Sequence, residues 1–488
     1  MSFNSLEFLI FLPIVFILYF IFPKKYRYFI LLIASYVFYM WWNWKLIFLI
    51  LITTLVSYTA GIGIRNTDKI AIKRLLMILS ITVSLGILIF FKYANFIVES
   101  FILGINSLGG GLTFDAINII LPVGISFYTF QTLSYVIDIY KGKIEAEENP
   151  FYYALYVSFF PQLVAGPIER SGDLLPQLKN KEGNHYQNLS IGLKQMLVGF
   201  IKKIAIADMV AVYVNNIFNN IDNTNGLLVL VGTILFSIQI LCDFSGYSDI
   251  AIGCARCFNI KLSKNFDKPY SAISIKDFWN RWHITLSTWF RDYVYFPMGG
   301  SRVNKVRLCI NILVVFLLSG IWHGAAWTFI LWGLMHGIMR IIGQLIEPLR
   351  EKAYNKWNIN KDSIFIKIIR ISITYILVSL TWIAFRSNSL AEMATAYRLL
   401  FSSWNLNGEY FNTFKNILNM PLEMAIYIPI AILGLKFIDL IRIEFKESKM
   451  TPYVLRKVLY TVLILLVMGC FIYQKSSNIE SAFIYFQF

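Results

Sequence analysis

Charge is what this chain has least of. Only 15% of its 488 residues are Asp, Glu, Lys or Arg, where a soluble domain carries about 25%, and 57% are hydrophobic. A water-soluble fold cannot cover itself with so few charges, and a mean hydropathy of +0.61 makes a lipid bilayer the solvent that accepts the excess apolar surface. Cysteine is scarce too. Five thiols in apolar settings exclude a disulfide framework, and Cys254 and Cys257 form a CxxC with no second pair, which reads as buried small hydrophobes, not zinc ligands. Walker loop, GxSxG elbow, HExxH and acid-paired GxGxxG motifs are all missing. Gly109-Gly110-Gly111 lacks the lysine of a phosphate cradle and reads as a loop. Acidic residues are outnumbered, 28 against 44 basic ones, for a net charge of +16. That excess fits basic cytoplasmic loops of a membrane protein better than a nucleic-acid partner, and none is expected.

What is present is a series of charge-free runs, at 8–22, 28–44, 46–64, 75–91, 116–137, 151–168, 226–241, 308–339, 371–385, 424–435 and 458–473. At roughly twenty residues per crossing they specify an all-α, polytopic membrane protein of about ten to twelve spans. The first run has its basic flank behind it, unlike a signal peptide, and is expected to be retained. Lys24, Lys25 and Arg27 follow it, and Arg65, Lys69, Lys73 and Arg74 follow the third run, whereas the hairpin between holds only Lys45. Basic residues mark the cytoplasmic side, so the N-terminus is expected outside the cytoplasm. Seven Lys/Arg in 340–370 and six in 436–457, against a lone Lys475 beyond residue 474, place the C-terminal tail outside as well. Trp41, Trp42 and Trp44 fall at a predicted outer turn, where indoles anchor at headgroup level. Internal repeats and Pro/Ser-rich linkers are lacking.

Two regions depart from plain spans. The run 116–137 carries Pro122, Gly124, several hydroxyls and Gln131, so it is expected to be bent or re-entrant. The segment 264–302 is polar, aromatic and charged between hydrophobic runs, and irregular backbone at membrane depth survives only where protein or a watery cavity satisfies it. Chemistry is therefore sought there.

Histidine is costly in a membrane and suited to proton transfer near neutral pH. His323 lies in a run of thirty-two residues without one Asp, Glu, Lys or Arg, bracketed by Gly320 and Gly324, where a helix break or close backbone approach is expected. It is either a proton-transfer group or a polar brace between helices. His336, thirteen positions on, lies about 20 Å further along a continuous helix and reads as structural or tunnel-lining. His185, in the polar stretch 180–188, reads as a solvated loop histidine. His283 sits among Asn280, Arg281 and Trp282 in a stretch of aromatics, arginines and aspartates. The stretch is either an interfacial amphipathic helix or a buried polar layer that positions a substrate and supports His323. Asp243 and Asp249, with Ser245, Tyr247 and Ser248 between them, form either a transporter's ion site or a hydrogen-bonded helix break.

These residues resemble a known family. Trp279-Asn280-Arg281-Trp282-His283-Ile284-Thr285-Leu286-Ser287, followed about forty residues later by Gly320-Ile321-Trp322-His323-Gly324, is similar to the paired signature of the membrane-bound O-acyltransferase (MBOAT) family. Residues 243–249 and 160–168 resemble its bacterial branch that O-acetylates alginate and other cell-surface polysaccharides; a branch transferring D-alanine to teichoic acid resembles chiefly the region before about residue 400. The resemblance implies a catalytic core over 1–400, additional spans over 401–473 and an extracytoplasmic tail over 474–488. It implies His323 as the essential histidine in a tunnel and His283 as its partner, with Asn280, Arg281, Trp282, Trp322, His336, Asp243 and Ser245 lining the substrate path. The ending Phe483-x-Tyr485-x-x-Phe488 looks like the aromatic tail whose tyrosine is proposed to carry the acyl group; the bland alternative is an interfacial anchor.

The expectation is then an O-acyltransferase with no resident cofactor, drawing on acetyl-CoA or another acyl thioester. His323 acts as general base, and the acceptor hydroxyl is that of Tyr485 or of a sugar. A secreted or membrane-anchored acetyltransferase- or esterase-like partner unloads the tail onto an extracellular polysaccharide. The rivals are transfer to teichoic acid or lipid, and a secondary transporter using Asp243 and Asp249, although the inverted repeat of such transporters is not evident.

Overall fold

The computed structural model describes residues 1–180, 185–405, 407–444, 453–477 and 483–484, with backbone alone for 435–444 and 453–456. Among the described residues every regular element is helical, so the all-α expectation holds. Seven helices are long and apolar enough to cross a membrane, and the bent pair Gly408–Leu418 and Leu422–Gly434, turned by 74°, would make an eighth. The expected ten to twelve is not reached by this measure because several apolar runs fold short. Leu6–Ile21 and Ile125–Tyr140 have sixteen residues each, Arg27–Met40 fourteen and Pro150–Ser158 nine.

Contacts divide the chain into two compact units, residues 1–196 with 250–264, and 197–249 with 265–488. The first unit is built around tyrosines. Tyr135, Tyr153 and Tyr156 are fully buried, and each phenol hydroxyl finds a partner, as a polar group taken away from water must. Tyr153 donates to Ser57 Oγ at 2.7 Å, Tyr135 Oη accepts the Glu147 N–H at 3.0 Å, and Tyr156 donates to the Glu169 carbonyl at 3.2 Å. Gly61 makes room for this layer, since a Cβ there would lie 2.8 Å from the Tyr135 ring. Within the helix Ile47–Arg65, Thr53, Thr54 and Ser57 return their hydroxyls to carbonyls one turn back, which satisfies them without water. The run 116–137 is indeed irregular in its first half: helix begins only at Ile125, after Gly124 takes a left-handed φ of 75° with its α-carbon against the Leu163 carbonyl. Residues 109–111 form the expected loop, and Trp41, Trp42 and Trp44 are exposed at the turn between two helices.

The second unit packs Gly226–Cys257 (through residue 249), Lys305–His323, Trp327–Lys356 and Ile364–Arg386 around an aromatic core that includes Phe236, Phe278, Trp282, Trp332, Trp382 and Phe385. Caps define its helix starts: Asn304 accepts the Arg307 N–H and Ser363 the Ile366 N–H. Two π-helical stretches, Ile201–Ala207 and Arg291–Tyr295, interrupt this regularity. Such wide turns are rare and gather at functional sites.

Candidate active site

His323 is the last residue of its helix. Gly324 follows in an extended conformation and a new helix opens at Trp327, so the thirty-two-residue apolar run is broken where its glycines predict. The two helices then return along each other with their backbones in touch. A Cβ on Gly320 would overlap the Phe329 carbonyl, and one on Gly333 the Phe316 carbonyl. Gly324 is as constrained, because a Cβ there would run into the Phe329 ring. This hairpin holds the His323 imidazole 2% exposed in a box of rings: Trp332 at 4.9 Å, Trp322 at 5.0 Å and Phe385 at 5.4 Å, each edge-on.

His283 arrives from the segment 264–302. It follows the short helix Ile275–Trp279 and precedes Ile284–Phe290, with a left-handed φ of 41°. For a residue with a Cβ that conformation costs about 1–3 kcal/mol and marks a position whose geometry the surroundings enforce. The enforcing partner is Asn265. Its Oδ1 lies 3.0 Å from His283 Nδ1 and also accepts the Thr285 hydroxyl at 3.0 Å, while its Nδ2 donates to Ser248 Oγ at 3.3 Å. With the carbonyl of Asn265 so placed, Nδ1 of His283 is the donor and Nε2 the acceptor. Burial lowers the His283 pKa to about 3, so the ring is neutral. It packs against Phe244 at 4.7 Å and Trp322 at 5.8 Å. The two histidines thus flank one indole, that of Trp322.

Other expected site residues fall differently. His336 is fully buried, accepts the Trp279 indole N–H at Nδ1 (3.3 Å) and meets the Thr381 hydroxyl at Nε2 (3.0 Å). Both ring nitrogens are engaged, so it braces the core behind Trp332. Trp282 is buried against Phe266, Phe278 and Trp382. Arg281 turns to Asp277 at 2.8 Å and Asn280 is exposed; neither is the partner of His283. Asn265 takes that role, and no motif announces it: its bond spans eighteen positions of irregular chain.

A buried ion cluster lies in the same unit. Lys203, inside the π-helical stretch, reaches Asp208 at 2.7 Å and Asp243 at 2.6 Å, and all three are at most 3% exposed. Gly246 permits this approach, since a Cβ there would stand 2.9 Å from the Gly199 carbonyl and 3.1 Å from Lys203 N. Asp249 pairs separately with Lys202 at 2.9 Å, so Asp243 and Asp249 do not share a cation, and no metal-ligating cluster occurs among the described residues. Ser245 is buried between them. The second Asp243 oxygen accepts the backbone N–H of Ile484 at 2.8 Å, while the Phe483 ring stacks on Tyr247 at 4.5 Å and meets Phe244 at 6.0 Å. Both tail residues are buried. Tyr485 lies outside the described residues.

A cavity of about 860 Å³ opens beside the histidine hairpin, within the size of small-molecule sites. Lys276, Arg291 and Arg340 give its lining a cationic excess over Glu347, and Trp279, Asn280 and Ser319 are among its walls. Ser319 precedes His323 by four residues on one helix face, about 6 Å of rise.

In the other unit His185 is not a solvated loop residue. It opens the helix His185–Phe200, half-buried, with Nδ1 against Asn259 Nδ2 and its ring edge-on to Phe20 at 5.0 Å. Asn259, left-handed at φ 63°, presents its amide to the ring. Cys254 and Cys257 are buried free thiols.

The model of the membrane-bound O-acyltransferase family matches residues 146–385, which hold both histidine blocks, Asn265 and the ion cluster. The chain is 36% identical to a probable alginate O-acetylase AlgI of Pseudomonas putida over the full length of both proteins. It is 36% identical to a peptidoglycan O-acetyltransferase of Helicobacter pylori, covering 82% of this chain and 78% of that one. A teichoic acid D-alanyltransferase of Bacillus subtilis is 32% identical over 49% of this chain and 62% of its own.

Proposed function

The chain belongs to the membrane-bound O-acyltransferase family and is a multi-pass membrane acyltransferase, and from this we propose that it moves an acetyl group from a cytoplasmic thioester to a hydroxyl outside, for O-acetylation of a cell-surface polysaccharide. One observation carries the reading. His323 and His283 flank Trp322, with a cation-lined cavity reaching to within a helical turn of His323 and the chain's C-terminal segment packed on Phe244, the neighbour of His283.

The three cations of the cavity suit the phosphates of acetyl-CoA, and its lining includes Arg340, in the stretch whose basic residues support a cytoplasmic placement. The acetyl carbonyl is delivered toward His323. There the imidazole takes the proton from an attacking hydroxyl, the oxygen bonds to the carbonyl carbon, and collapse of the tetrahedral adduct breaks the carbon–sulfur bond. The imidazolium returns the proton to the leaving thiolate. His283 takes no proton; held neutral and oriented by Asn265, it keeps Trp322 and the reacting region in register. Exclusion of water by the surrounding indoles protects the thioester from hydrolysis.

The attacking hydroxyl is that of Tyr485, one residue beyond the docked pair Phe483–Ile484. The acetyl-tyrosine is then unloaded by a secreted or membrane-anchored partner onto the polymer. Basic-residue counting supports an N-terminus and a tail outside the cytoplasm. Mass spectrometry of surface glycans from cells with the wild-type gene, without it, and with Tyr485→Phe tests the proposal: the ester is expected only with the wild type. Full acetylation with Tyr485→Phe would remove the tyrosyl intermediate, and full acetylation without the gene would remove the function.

A further inference from the structure

The buried triad Lys203–Asp208–Asp243 plays no part in the chemistry above, yet it is an expensive thing to build. Breaking a buried pair leaves the remaining charge without compensation, and a hydrophobic trio of similar volume would stabilise the fold as well. The structure gives it a use. Lys203 binds Asp243 through Oδ1 and Asp208 through Oδ1, which leaves Asp243 Oδ2 for the N–H of Ile484, 241 positions later in the chain. The cation is placed by a π-helical stretch, and the carboxylate by a helix brought within touching distance at Gly246. On the next turn of that helix Tyr247 supplies the platform for Phe483.

We propose that Lys203, Asp208 and Asp243 form a latch for the chain's own C-terminal segment: Lys203, fixed by Asp208, aims the Asp243 carboxylate at the Ile484 backbone, and the Tyr247 ring holds Phe483. The latch recognises one main-chain donor and one aromatic ring at adjacent positions, not a particular side chain at 484. Its role in catalysis rests on the proposed function, because a seated 483–484 pair fixes where residue 485 enters. The triad residues are positioning residues in that scheme; none touches the reacting atoms.

The test is made on the full-length protein carrying Ala482→Cys, reacting with a maleimide in detergent, with Cys309 as an internal reference for the folded state. In the otherwise wild-type background the introduced thiol is expected to react slowly. Asp243→Asn, which keeps the shape and removes the charge, and Ile484→Pro, which removes the tail's N–H together with its side chain, are each expected to speed labelling at least tenfold, whereas Ile484→Ala, which trims the side chain and keeps the N–H, is expected to speed it far less. The double variant is expected to react no faster than either single one, since both break the same bond. A purely structural role for Asp243 would not be matched by Ile484→Pro, which leaves the triad intact. Unchanged labelling in Ile484→Pro, or additive effects in the double variant, would overturn the latch. Tyr485→Phe separates the two ideas: protection of the introduced thiol with undiminished acetylation means the latch stands and the tyrosyl intermediate falls, while rapid labelling in Ile484→Pro with normal acetylation means the latch exists but does not serve the reaction.

Discussion

Asn265 is the residue whose replacement most cleanly tests how His283 is held. Its carbonyl fixes the donor nitrogen of a ring forced into a left-handed backbone, so Asn265→Ala is expected to lower kcat by roughly tenfold to a hundredfold, the equivalent of about 1–3 kcal/mol for a lost buried acceptor. KM for the thioester should stay near wild type, because Asn265 is not among the cavity walls; a rise in KM with kcat unchanged would contradict the assignment. Glu169, outside the candidate spans and 1% exposed, offers a pH test. Burial raises its pKa from 4.5 to about 7, although Ser263 donates to both oxygens. A carboxyl raised on folding favours the protonated form, so its contribution to stability is complete below pH 4.5 and is lost as the pH climbs toward about 7. The thermal midpoint of the wild type is expected to fall across that interval and that of Glu169→Gln to fall less; equal slopes would rule this out. At this scale the sequence exposes His323 and His283 through their cost in an apolar chain. It hides Asn265, whose bond to His283 crosses eighteen positions of irregular chain, and Lys203, which joins nearby Asp208 to the distant Asp243 with no motif to mark either.

The hairpin of Lys305–His323 and Trp327–Lys356 depends on backbones in contact. Gly320→Ala pushes a methyl into the Phe329 carbonyl, and overpacking of this kind costs about 1–3 kcal/mol. A lower unfolding temperature and weaker activity are expected together, since His323 lies one turn away. Gly343→Ala, on the second helix with open space at its Cβ, is the control and should be neutral or stabilising by up to about 1 kcal/mol. Equal stability of the two variants would mean that the hairpin tolerates separation. The break itself is legible, because glycines on either side of a tripeptide within an unusually long apolar run leave few other readings. The start of helix at Ile125 is also foreshadowed by Pro122 and Gly124. The π-helical stretches are not: no motif marks Ile201–Ala207, whose Lys203 pairs with Asp208 and Asp243 and whose Ile204 and Ala205 carbonyls accept from Gln474 and Tyr427.

Over the whole molecule, composition specifies a membrane protein, because the balance of charged and apolar residues admits no other solvent, and the lengths of the charge-free runs make it helical. The number of crossings is less legible, since an apolar run of given length folds as a full span, a short helix or a bent pair according to its neighbours. The division of labour proposed here, with donor, imidazole and tail meeting at the His323 hairpin, makes one demand above all: that this imidazole be the base. Purified full-length protein incubated with radiolabelled acetyl-CoA measures it directly through release of free thiol. His323→Gln, near in volume and still polar, is expected to elute as a folded protein and to lose at least about a hundredfold in rate, the lower end of what general-base catalysis contributes. Thiol release at the wild-type rate by that folded variant would contradict the account.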